Sequence, residues 1–117
     1  DQDLLKKVKD LRKNYKTALL SNYSDILRRM LETRWRVDGA FDEIIISWEE
    51  KIIKPDPRIF DLTLNRLGAT KDEAILIDDR IVNIEGAQKY GLSTVYFKSK
   101  DQALADLHLL LGNQNKQ

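Results

Sequence analysis

Three short segments hold the residue types from which phosphate chemistry is assembled. Ser21 closes the run Thr17-Ala18-Leu19-Leu20-Ser21, Lys54 sits in Lys54-Pro55-Asp56-Pro57, and Asp78-Asp79 close Ile75-Leu76-Ile77-Asp78-Asp79. A hydroxyl can donate to a phosphoryl oxygen, and a cation offsets charge that builds up during transfer. Adjacent carboxylates repel each other unless something positive binds, and a hard divalent ion such as magnesium takes one or two carboxylates and keeps several waters. Each residue also has a plainer role. Ser21 at a strand end could cap a turn or helix, Lys54 before a proline could be a solvated loop residue, and Asp78-Asp79 could cap the next helix or pair with Arg80.

The elements that would position these residues can be read from apolar spacing. Leu4, Leu5, Val8, Leu11 and Tyr15 recur at helical intervals, with Asp3 as N-cap. A strand follows over residues 17–21, then a helix carrying Tyr23, Ile26, Leu27, Met30 and Leu31 and a turn at Asp38-Gly39. Residues 44–46 form a β-branched strand and residues 47–54 a loop. Pro55-Asp56-Pro57 starts a helix whose buried stripe is Ile59, Phe60, Thr63, Leu64 and Leu67, and Gly68 ends it. Thr70-Lys71-Asp72-Glu73 has the form of a capping box and one helical turn. A strand over 74–78, a helix over 82–90 stopped by Gly91, a strand over 93–97 and a helix with Leu104, Leu107, Leu110 and Leu111 complete the domain, with residues 112–117 expected to fray.

Short apolar strands alternating with amphipathic helices predict an α/β fold with a parallel sheet and helices on both faces. Ligands bind such sheets beyond the carboxyl ends of the strands. Ser21 and Asp78 end strands and Lys54 lies in the loop after one, so all three fall on that edge.

The chain of 117 residues is long enough for one core, so a single domain over 1–117 is expected. A net charge of +1 leaves no electrostatic footprint for nucleic acid, and the basic residues Lys6, Lys7, Lys9, Arg12, Lys13 and Lys16 read as a solvated helix face. With no cysteine and one histidine, His108 on the last helix, there is neither a disulfide framework nor a thiolate zinc site. No apolar run approaches the length of a membrane span. These features predict a cytoplasmic protein with no nucleic-acid or membrane partner.

The order of the segments resembles the haloacid dehalogenase-like (HAD) phosphohydrolases. Leu19-Leu20-Ser21-Asn22 is similar to the family's second motif and Lys54-Pro55-Asp56-Pro57 with Ile59-Phe60 to its third. Ile77-Asp78-Asp79-Arg80 with Asn83, Gly86-Ala87 and Gly91 is similar to the fourth. The resemblance implies a three-layer Rossmann-like fold in which Ser21, Asn22 and Lys54 bind phosphate, Ser21 and Lys54 act in catalysis, and Asp78 and Asp79 hold Mg2+. Asn83 and Glu85 read as supporting or surface residues. Where the family commonly has a glycine three residues before the lysine, this chain has Lys51.

The family's first motif, an apolar strand ending in Asp-x-Asp, has no counterpart among these residues. Asp1-Gln2-Asp3 has the spacing but no preceding strand, and a charged helix follows it. The resemblance therefore implies the C-terminal part of a HAD core, truncated, without the central nucleophile strand and without the substrate-selecting cap. The expected function is that of a magnesium-dependent phosphatase acting on a small phosphorylated metabolite, with this part inactive alone and its magnesium weakly held or absent. The alternative is a non-catalytic binding or assembly module. In the family's strand order the absent strand lies between strands 17–21 and 74–78. That gap is expected to close through strand approach, homo-oligomeric strand exchange or a separate fragment, because unpaired backbone groups cost roughly 1–3 kcal/mol each when buried. A response-regulator receiver uses similar residues, but with its acidic pair first in the chain.

Overall fold

The computed structural model describes residues 2–22 and 39–114. The helix expected around Tyr23 to Leu31 lies outside those residues. Contacts sort the chain into two compact units, Asp1–Thr70 and Lys71–Gln117. Each contains a two-stranded parallel sheet, so the architecture is α/β with parallel pairing, as the alternation of strands and helices predicts.

In the first unit, helix α1 (Gln2–Arg12) half-buries Leu4, Leu5, Val8 and Leu11. Asp3 does not cap this helix. It lies inside the first turn, where a carboxylate favours the N-terminal dipole, and pairs with Lys7 one turn on at 3.1 Å. The helix stops at Arg12, so Tyr15 falls outside its stripe and is exposed. Strand β1 (Ala18–Ser21) pairs with β2 (Glu43–Ile46), Leu19 opposite Ile44 and Ser21 opposite Ile46.

One carboxylate fixes the start of this ladder. Asp42 accepts from the Thr17 N–H at 2.7 Å and from Arg12 Nε at 2.9 Å, while the Thr17 hydroxyl donates to the Ala40 carbonyl at 2.6 Å. The Thr17 N–H and the Arg12 guanidinium hold the Asp42 carboxyl below the usual carboxylate range.

Residues 47–54, expected as loop, begin with a short helix, α2 (Ser47–Glu50). Four residues offer no apolar period to read. Helix α2 ends at Lys51, whose backbone is left-handed at φ 59°, ψ 29° and whose N–H donates to the Ser47 carbonyl. Helix α3 (Pro57–Leu67) starts as predicted: Pro57 occupies the first turn and the Asp56 carboxylate accepts from the Arg58 N–H at 3.0 Å. It buries Ile59, Phe60, Thr63 and Leu64 and packs on β1 and β2. Gly68 closes it at φ 67°, and Lys16 Nζ donates to the Leu67 carbonyl at 2.6 Å, meeting one of the carbonyls that a helix end leaves open. Arg66 grips Glu50 with two bonds of 2.8 and 3.0 Å, tying α3 to α2.

The second unit opens with a single 3-10 turn, Lys71–Glu73, where one helical turn was expected. Strand β3 (Ile75–Asp78) pairs with β4 (Ser93–Tyr96) in the register Ile75 to Ser93 and Asp78 to Tyr96. Helix α4 (Ile81–Tyr90) crosses between them, packs on both and buries Asn83, Ile84 and Ala87. Gly91 ends it at φ 117°, where an added Cβ would meet Lys71 Cδ at 3.0 Å.

Helix α5 (Lys100–Gln114) buries Ala103 and Leu107 against β4, with Leu104 half-buried and Leu109 exposed. It continues through Gly112 to Gln114. Its start is closed by Gln102, whose amide oxygen accepts from the N–H groups of Lys98 and Ser99 and whose nitrogen donates to the Tyr96 carbonyl. No helix among the described residues is long and apolar enough to cross a membrane.

Candidate functional site

The predicted site residues occur in both units. Ser21, Asn22 and Lys54 belong to the first, Asp78 and Asp79 to the second, and each set is described within its own unit.

Ser21 is the last residue of β1, half-buried, in register with the buried Ile46. The next residue, Asn22, is exposed and bonds across 32 positions to Lys54. The Lys54 N–H donates to Asn22 Oδ1 at 2.9 Å, and Asn22 Nδ2 donates to the Lys54 carbonyl at 3.3 Å. One side-chain amide thus satisfies both main-chain groups of the lysine. The Lys54–Pro55 peptide bond is cis. Farther along, the Asp56 N–H donates to the Ile53 carbonyl at 2.9 Å, and the Arg58 guanidinium holds the Asp56 carboxyl below the usual range. Lys54, itself half-buried, therefore lies between a short helix ended by a left-handed residue and a capped one.

The two carboxylates at the end of β3 are not equivalent. Asp78 is buried at 8% exposure, Asp79 exposed. One Asp78 oxygen accepts from the Arg80 N–H at 2.9 Å, the other from the Asn83 amide at 3.2 Å, and Asn83 is only 2% exposed. The Phe97 N–H donates to the Asp78 carbonyl at 2.8 Å, so β4 fixes the main chain as well. Asp78 does not cap α4, whose N-cap is Arg80 with no side-chain cap bond; its bond to the Arg80 N–H closes the turn that precedes the helix. That bond does not exhaust the carboxylate, because an ionised carboxyl offers about four lone-pair sites.

Among the described residues no group of three or more His, Cys, Asp or Glu side chains is placed to hold a metal ion. The candidate donors are instead two adjacent carboxylates, Asp78 oriented by its neighbours and Asp79 facing solvent. That suits magnesium, whose remaining positions go to water and to substrate phosphate. Glu85 and His108 are exposed, Glu85 on α4 and His108 on α5.

One supporting role was not legible in the sequence and a second only in outline. The Asn22 to Lys54 contact joins distant segments and has no local signature. Asn83 was marked only as supporting or surface; its position five residues after Asp78, in the first turn of α4, is the signal that could have assigned it.

The family model of the haloacid dehalogenase-like hydrolases matches residues 2–97. The chain is 32% identical over 97 residues to a glyceraldehyde 3-phosphate phosphatase of Pyrococcus furiosus, covering 82% of this chain and 40% of that protein. It is also 32% identical over 81 residues to (S)-2-haloacid dehalogenase 4A of Burkholderia cepacia, covering 69% of this chain and 35% of that one. The chain therefore spans well under half the length of these curated relatives. Among solved structures, a HAD family enzyme of Bacteroides thetaiotaomicron in complex with magnesium and inorganic phosphate superposes with a TM-score of 0.77 at 31% identity, covering 86% of this chain and 54% of that one. With 96 of its 117 residues inside the family model, the chain belongs to the haloacid dehalogenase-like hydrolases.

Proposed function

We propose that these residues carry the phosphate grip and the metal carboxylates of a magnesium-dependent phosphatase acting on a small phosphorylated metabolite in the cytoplasm. The observation that carries this reading is the carboxylate pair, with Asp78 oriented by Arg80 and Asn83 and Asp79 open to solvent. Two carboxylates side by side repel unless a cation joins them, which favours the metal-using reading over a dehalogenase, the activity named for one relative.

In this reading the Ser21 hydroxyl and nearby main-chain N–H groups donate to the phosphoryl oxygens. The Lys54 ammonium offsets the charge that accumulates on phosphate and nucleophile. Asp78 and Asp79 hold magnesium, which when bound neutralises charge on the phosphate oxygens. No apolar run in the 117-residue sequence ends in Asp-x-Asp, so in this reading the chain by itself binds anion and metal without turning substrate over.

Titration of the pure chain with magnesium and inorganic phosphate, followed through backbone amide resonances, tests the reading. Shifts are expected at residues 21, 54, 78 and 79, with the magnesium response lost in Asp79→Asn. Steady hydrolysis of an aryl phosphate by the pure chain would show the assignment of the chemistry to be wrong.

A further inference from the structure

The geometry points to Asn22 as a positioning residue for Lys54 rather than a phosphate ligand: its amide fixes the lysine main chain, and through it the place from which the ammonium acts. This rests on the phosphatase reading for what Lys54 does, but the contact itself does not.

A side-chain amide has one acceptor oxygen and one NH2 group. Both are used here on one residue, the oxygen by the Lys54 N–H at 2.9 Å and the nitrogen toward the Lys54 carbonyl at 3.3 Å. A side chain spent in this way has only its second N–H left to donate to an anion. Its other end is equally defined, since Asn22 directly follows Ser21, the last residue in register with β2. The bond therefore ties the loop carrying the cation to the strand carrying the hydroxyl. The loop leaves α2 through the left-handed Lys51, and farther on the Asp56 N–H donates to the Ile53 carbonyl. A lysine stem has four rotatable carbons, so a main chain held at both N–H and C=O narrows where its ammonium can reach.

The test uses the full 117-residue chain, labelled at backbone amides and at lysine Cε, with inorganic phosphate as probe. In Asn22→Ala the Lys54 amide is expected to exchange roughly tenfold faster. Its Cε resonance should move toward the free-lysine position, and phosphate affinity should fall about tenfold, equivalent to ~1.4 kcal/mol. Amides of Ile45 and Ile46 should stay in place, showing that the sheet is intact. Asn22→Asp keeps the acceptor for the Lys54 N–H, so the Lys54 amide should return close to wild type, while the added negative charge keeps phosphate affinity low.

Loss of affinity in Asn22→Ala with the Lys54 resonances unmoved would make Asn22 a direct anion ligand and overturn the proposal. So would a released Lys54 with affinity unchanged. A wild-type chain that leaves phosphate unbound sinks the phosphatase reading by itself. The Lys54 resonances then decide the tie alone, and unmoved resonances in Asn22→Ala overturn it.

Discussion

At the scale of single residues, neighbours of identical type have different work. Asp78 is buried and accepts from a main-chain N–H and a buried amide; Asp79 is exposed. Replacing Asp78 by Ala strands the Asn83 amide and the Arg80 N–H, and a loss of ~2–3 kcal/mol is expected in urea unfolding. Asp79→Asn should stay within about 0.5 kcal/mol of wild type in the same measurement while abolishing the magnesium response. Equal destabilisation by the two changes would remove this division of labour. Asp42 supplies the pH dependence. Its carboxyl is held below the ordinary range by the Thr17 N–H and Arg12, so the folded form takes up its proton later than the unfolded chain as pH falls. The contribution is whole above about pH 4, the unfolded value, and is lost as pH drops through the folded one. Thermal melts across that window should show a steeper acid limb for wild type than for Asp42→Asn; parallel limbs would contradict the assignment.

Among the elements, the short helix α2 ends at Lys51, where the family pattern commonly has glycine. Sequence comparison with the family pattern puts the loop path in question because lysine replaces glycine, yet the residue adopts φ 59°, the left-handed region that glycine favours. A side chain in that region costs about 1–2 kcal/mol, and glycine returns part of the gain through its freer unfolded state. Lys51→Gly is accordingly expected to stabilise by roughly 0.5–1 kcal/mol in denaturant melts, and a destabilised variant would mean that the lysine's own contacts outweigh the backbone. What was legible and what was not divides along the same line. The Pro57 start, the Gly68 stop and the stripe of α3 follow from local chemistry and are found, with Ile59, Phe60, Thr63 and Leu64 buried and Leu67 half-buried. Asp3 was misplaced because a capping residue and a first-turn acid look alike when the boundary is uncertain by one or two positions. Helix α2 escaped because one turn has no period, and the Asn22 to Lys54 bond because it depends on how two segments meet.

For the molecule as a whole, small size makes ligand binding visible in stability. The family's phosphate chemistry, if carried by these residues, should raise the melting temperature when magnesium and phosphate are present together. At ten times the dissociation constant the gain is ~1.4 kcal/mol, which for a chain of this length is roughly 5 °C. Chelation by EDTA should cancel the metal-dependent part; a melting temperature indifferent to both ligands would count against the site. The Asp42 junction described at the start of the β1 and β2 ladder has a consequence at the opposite end of the strands. Side chains alternate sides along a strand, so sliding β1 by one residue against β2 would turn Ser21 to the other face. What forbids that slip is anchored at Thr17, about 13 Å away at the usual rise of a strand. Asp42 is in this sense a register key, and the direction in which the serine hydroxyl points is decided by a carboxylate that never comes near it.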